Sequence, residues 1–228
     1  MRIGEIVETT STGFIAESFE LNRPPPLGSL VVVTLPGYKE TSTRQPSEPA
    51  NAMDLYAVVT YGQTVGLDPG RRAVRRSTEE VFDEAIYEEH PELRHVLRTE
   101  FGTVLVGFFA HGQVWQHLPP QPPPLHFSVQ TVEMDQVQRF TEHLHYFRLL
   151  LSYSGPVSPL QVLAAHVREV YWQRGSDRAW LDVAAREIAT LLKDDHKALL
   201  TVLYAIDPGE ALSLHRPGET PTFVERGG

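Results

Sequence analysis

"LPPQPPPLHF", residues 118–127, divides the chain by period. Five of its ten residues are proline, which favours a stiff, extended segment of the polyproline kind. Upstream, short β-branched and aromatic runs alternate with Gly and Pro. Downstream, apolar residues recur every three or four positions. The composition reads as a linker between two domains, and a proline motif for a partner's binding groove is the less economical alternative.

Working back from it, "IGEIVETTSTGFIAESFEL" suggests two strands joined by a tight turn at Ser11–Gly13. "PPPLG" is a connection, since prolines do not enter a sheet interior. "SLVVVTL" (29–35) and "DLYAVVTYGQTVG" (54–66) are further strands, the latter bent at Gly62. Between them "PGYKETSTRQPSEPANAM" reads as a mobile loop. "TEFGTVLVGFFAHGQVWQHL" (99–118) gives two more strands, with bends at Gly107 or Gly112. Many short strands with Gly and Pro between them fit a small closed barrel, which hides its sheet edges. "RSTEEVFDEAIYEEHPELRHVL" (76–97) interrupts them as a helical insertion near 77–97. Ser77 or Thr78 would cap it, Glu80 lies near the capping-box position, and Val81, Ala85 and Ile86 form one face.

Working forward, "TVEMDQVQRFTEHLHYFRLLLSY" places Val137, Phe140, Leu144, Phe147 and Leu151 on one helix face. A second helix opens with Ser158 as N-cap and Pro159 at its first position, and stops at Gly175. "SDRAWLDVAAREIATLL" is a third, with Leu181, Ala184, Ala185, Ile188 and Leu192 inward. "DDHKALLTVLYAI" is a fourth, capped by Asp194 or Asp195 and ended by "DPG". The expected fold class is α+β. A β-barrel occupies 1–117, the linker 118–127, an α-helical domain 128–207 and a flexible tail 208–228. Residues 131–207 are expected to pack largely on themselves.

The chain has 228 residues and a net charge of −9, enough length for a sizeable core and too acidic for a general nucleic-acid coat. It has no cysteine, which excludes disulfides and thiolate chemistry. No signal peptide and no apolar run of membrane-spanning length is visible, so a cytoplasmic protein without membrane contact is expected.

Chemistry-bearing motifs are sparse. No phosphate-cradling loop is present, so ATP hydrolysis is not expected. Of the ten histidines, His90 and His95 are separated by Pro91, and His143 and His145 would fall on different helix faces. Neither pair has metal-ligand spacing. Asp194 and Asp195 are explained by helix capping, and Ser152 and Ser154 lack a nucleophile elbow. No catalytic residue, cofactor or metal is expected. Arg71, Arg72, Arg75 and Arg76 form the one concentrated basic stretch. Seven acidic residues from Glu79 to Glu92 follow it. Those arginines either pair locally and remain solvated, or form a partner-docking patch. Direct nucleic-acid contact is disfavoured by the acidic neighbour.

"IGEIVETTSTGFIAE", "GSLVVV" and "YAVVTYGQTVGLDPGRR", in that order, resemble the HAS-barrel of HerA-type DNA-translocating ATPases and ATP synthase ring subunits. "LRTEFGTVLVGFF" followed by "LPPQPPPLH" resembles the HerA version. The resemblance covers roughly residues 1–127. It implies a six-stranded barrel that assembles subunits or docks a partner such as the NurA nuclease. HerA proteins continue into a motor with a phosphate-binding loop, and this chain does not, so the motor activity does not transfer. The expectation is a non-enzymatic adaptor in DNA processing or DNA repair, with a HerA-type ATPase or NurA-type nuclease as partner and oligomerisation left open. The alternatives are a DNA-binding accessory protein using the arginine loop 71–76, or an enzyme with an unrecognised site.

Overall fold

The computed structural model describes residues 1–36, 52–68 and 73–206. Residues 37–51 of the expected loop between the third and fourth strands, the "PG" of "LDPG", Arg71, Arg72, the "DPG" stop and the tail 208–228 lie outside the described residues.

Strands β1 (Arg2–Thr9) and β2 (Phe14–Ser18) form the first hairpin. Thr10 closes its turn, since its hydroxyl donates to Gly13 O at 3.0 Å and accepts from Gly13 N at 3.2 Å. Then come β3 (Leu30–Leu35), β4 (Met53–Gly66), β5 (Leu97–Ala110), β6 (Gln113–Trp115) and β7 (Ser128–Thr131). Their order is β2-β1-β7-β3-β4-β5-β6, and β2 also pairs with β5. This closes a six-stranded antiparallel barrel and leaves β6 as a hairpin partner of β5 outside the ring. The turn before β6 uses His111 and Gly112, both at positive φ (51° and 76°), as a tight hairpin requires.

The β-branched run of β3 is buried on both faces. Val31, Val33 and Leu35 fill the barrel interior, whereas Leu30 and Val32 point outward into a second core. In β5 the alternation changes phase at a bulge. Tyr56 faces Gly107 while Ala57 faces Leu105, which leaves Val106 as the extra residue. Phe101 and Leu105 before the bulge point inward, and so do Phe108 and Ala110 after it.

The proline-rich segment is not a free linker. Thr9 Oγ1 donates to Pro123 O at 2.8 Å, His126 N to Ile6 O at 2.9 Å, and Ile6 N to Phe127 O at 3.0 Å. The segment is thereby laid along β1. It delivers β7, the sixth barrel strand, which lies inside the range expected to be helical. Two features hide β7 in the sequence. "SVQT" is too short to show a period, and its partners, β1 and β3, lie about a hundred residues upstream.

Among the described residues the insertion between β4 and β5 holds two short helices, α1 (Ala85–Glu89) and α2 (Leu93–Val96), neither with a fully buried residue. Thr78 does not cap a helix; its hydroxyl accepts from Val81 N at 3.0 Å and closes a turn. The first expected C-terminal helix is broken into α3 (Met134–Phe140) and α4 (Phe147–Leu151). Distant side chains take up the polar groups at the break. Gln116 Nε2 donates to Phe140 O and His143 O, both at 2.7 Å, and Trp180 Nε1 donates to Thr141 O at 2.8 Å. Helix α5 (Pro159–Gln173) starts at Pro159 as expected and ends before Gly175, whose φ is +72°. Helices α6 (Arg178–Leu191) and α7 (His196–Ile206) are the last elements among the described residues. Their N-termini are capped by Asp177 (from Trp180 N, 3.0 Å) and Asp195 (from Ala198 N, 2.9 Å).

These helices do not form a core of their own. Their buried residues share one cluster with Leu30, Val32, Tyr56, Val58, Val104 and Val106 on the outer barrel wall. Phe140 stacks on Tyr56 with centroids 4.5 Å apart, and a Cβ at Gly107 would come within 2.9 Å of the Phe140 ring. At the other end of the seam Gly28, at φ +87°, lies against helix α5, where any side chain would strike the backbone of Ala165 and His166. His166, fully buried, bonds to Gly28 O through Nδ1 at 2.7 Å and to the Tyr146 hydroxyl through Nε2 at 2.9 Å. A carbonyl only accepts, so Nδ1 carries the proton and Nε2 accepts from Tyr146.

Candidate functional site

The β4–β5 ribbon runs past the residues that β2 covers, pairing Thr64 with Thr99, Val65 with Arg98 and Gly66 with Leu97. Beyond it, residues 67–68 and 73–96 belong to an arm, closed by Leu67 N donating to Val96 O at 2.9 Å. Asn22 Nδ2 donates to the Tyr87 hydroxyl at 2.7 Å and tethers the arm to the β2–β3 connection. Four large apolar side chains of the arm stay exposed: Leu67, Val74, Phe82 and Val96. Surface of this kind on a soluble chain marks a contact region when it is contiguous.

Of the four arginines singled out in the sequence, Arg71 and Arg72 lie outside the described residues. Arg75 and Arg76 are exposed on the arm. Arg76 approaches Glu92 at 3.9 Å, with both side chains about half exposed. Such a pair contributes about 0–1 kcal/mol and leaves the charge accessible. Among the described residues Arg75 has no ion pair.

The histidines expected to be structural occupy ordinary sites. His90 Nδ1 lies 3.2 Å from Glu92. His143 and His145 sit in the break between α3 and α4, not on a helix, and their rings stack 6.2 Å apart. Among the described residues no three His, Asp or Glu side chains are grouped to hold a metal. Asp195 acts as a helix cap. Ser152 Oγ donates to Leu149 O at 2.9 Å.

A feature invisible in the sequence is a cleft of about 440 Å³ between the barrel and the turn after α4. Its walls come from the β1–β2 turn, the middle of β4 and β5, and residues 152–156. Tyr61 and Tyr153 are its two half-buried aromatic side chains. Each ring rests on a glycine: a Cβ at Gly102 would collide with Tyr61, and one at Gly155 with Tyr153. The buried hydroxyls of the wall are already used. Thr60 Oγ1 donates to Gly102 O at 3.1 Å, and Thr103 Oγ1 to Phe14 O at 3.0 Å. Burial raises the Tyr61 hydroxyl pKa, and the negative charge of Glu100 and Glu8 adds to the rise. Glu100 is balanced by Arg98, at 2.9 Å, and by Gln63 Nε2, at 3.1 Å. Glu8 lines the cleft without an ion pair among the described residues, and no Lys or Arg lines it. The signal in sequence would have been the pairing of Tyr61 with Tyr153, ninety-two positions apart, which only the closed barrel brings together.

Among the described residues no helix is long and apolar enough to cross a membrane. Neither a comparison with protein families nor one with curated proteins gives a match.

Proposed function

We propose that this chain is a non-enzymatic adaptor whose barrel and arm dock a partner protein, a HerA-type ATPase or NurA-type nuclease in DNA processing. The observation that carries the reading is a closed barrel whose β4–β5 arm exposes arginine and large apolar side chains together. The choice of partner follows from the likeness of "IGEIVETTSTGFIAE" and "YAVVTYGQTVGLDPGRR" to HAS-barrel sequences. A fold alone does not specify a function, so the arm supplies the argument for docking and the likeness supplies the candidate.

Replacing Arg71, Arg72, Arg75 and Arg76 by alanine tests the reading. Exposed substitutions of this kind shift stability by about ±0.5 kcal/mol per site, so the thermal midpoint should hold. Association with a purified HerA-type ATPase or NurA-type nuclease should slow, most at low salt, because peripheral charges act mainly on encounter. Unchanged association with the verified partner would remove the arm from the interface. The exposed arginines also support a second reading, a DNA-binding accessory protein. A salt-dependent shift of labelled DNA that the same variant abolishes would favour it.

A further inference from the structure

We propose that the cleft between Tyr61 and Tyr153 receives the positively charged side chain, lysine or arginine, of a partner polypeptide. At about 440 Å³ the cleft falls within the range of ligand pockets, about 300–1,000 Å³. Its chemistry is one-sided. Two half-buried tyrosine rings line it, and the face of such a ring is negative and attracts a cationic head group. Among the described residues no hydrogen bond occupies either tyrosine hydroxyl, so both oxygens are open to a donor. The Tyr61 hydroxyl is neutral at pH 7, as any tyrosine hydroxyl is, and burial raises its pKa further. Glu8 supplies an uncompensated carboxylate, whereas the charge of Glu100 is already met by Arg98.

The rest of the lining suits the remainder of such a side chain. Phe14, Leu118 and Leu149 give apolar wall for an aliphatic stem. Thr12 and Ser154 stand exposed among the lining residues, where their hydroxyls can accept from backbone amides, whereas the Thr10 hydroxyl is already held in the β1–β2 turn. That rim selects a polypeptide over a free cation. The overall charge of −9 favours approach of a basic ligand. The polypeptide source rests on the adaptor reading above, but the cleft's preference for a cation is independent of it.

The probes are Nα-acetyl-arginine methylamide, its neutral citrulline counterpart and butylguanidine, a free cation of the same single charge, each titrated into the full chain. Ring resonances of Tyr61 and Tyr153 report binding. The arginine probe should shift both resonances saturably, and citrulline should bind about tenfold more weakly because it lacks the charge. Glu8→Gln, at an exposed position, should weaken the arginine probe about threefold or more without altering the unfolding midpoint. Arg75→Ala with Arg76→Ala should leave the titration unchanged, so failure of the arm as a docking site and failure of this site are read separately. Equal binding of arginine and citrulline, or no effect of Glu8→Gln, would overturn the proposal. Tighter binding of butylguanidine than of the arginine probe would overturn its polypeptide source.

Discussion

His166 joins helix α5 to the connection before β3 by a bond to Gly28 O and to Tyr146 by another. Desolvation is the main reason its pKa falls from 6.5 to about 4, and the Gly28 carbonyl opposes the fall. Burial likewise raises the Tyr146 hydroxyl pKa, so that hydroxyl remains a donor. A lowered histidine pKa means that, between pH 4 and 6.5, the unfolded chain binds the proton that the folded chain refuses. This contribution is therefore complete above about pH 6.5 and drains away as pH falls toward 4, by at most about 3 kcal/mol. Denaturant midpoints of the native chain and His166→Gln should differ clearly at pH 7, with the gap narrowing by pH 4.5. A constant gap would show that the imidazole proton is not involved. In the sequence His166 is one of ten histidines, and nothing nearby distinguishes it. Its role comes from a glycine 138 positions away.

At the scale of elements, local chemistry decided the helix ends and remote chemistry decided the helix breaks. Asp177 caps α6, a role not expected from the sequence, accepting from Trp180 N at 3.0 Å and from Arg174 Nε and Nη2 at 3.2 Å. The Trp180 N–H, then the Arg174 guanidinium, hold its carboxyl below the usual range against the opposing effect of desolvation. Arg174 in turn reaches Thr141 Oγ1 and Gln138 O at the end of α3. Asp177→Ala should cost about 1–2 kcal/mol through the lost cap and the freed arginine, seen as a lower urea midpoint. Asp177→Asn keeps a cap oxygen and should recover part of the loss. The break between α3 and α4 was not legible, because the apolar spacing runs straight through it. Gln116 and Trp180, which satisfy its carbonyls, come from the barrel side and from α6.

For the whole molecule the helices and the outer barrel wall share one buried cluster. Tyr56 and Phe140 stack across the seam, and six barrel residues contribute to the helical cluster. Residues 132–206 expressed alone would expose that cluster to water. Each large apolar side chain so stripped forfeits about 1.5–3 kcal/mol. The fragment should lose much of its helical circular dichroism and show no cooperative thermal transition. A sharp transition would mean that the helices can bury one another without the barrel.

The sequence by itself determined the strands β1 to β6, the α5 start at Pro159 and stop at Gly175, and the cap of α7. Each of these is written within a few neighbouring residues, as alternation, as a turn, or as a side chain that bonds its own helix. Closure of the barrel, the break in the first helix, the shared core and the Tyr61–Tyr153 cleft were decided by the tertiary structure. In each case the deciding partner lies far along the chain: β1 and β3 for the four residues of β7, Gln116 and Trp180 for the ends at the break, Tyr56 for Phe140. The proline-rich stretch shows the difference most plainly. Its composition fixes an extended backbone, but Ile6 and Thr9 decide that it lies along the barrel rather than leading away from it.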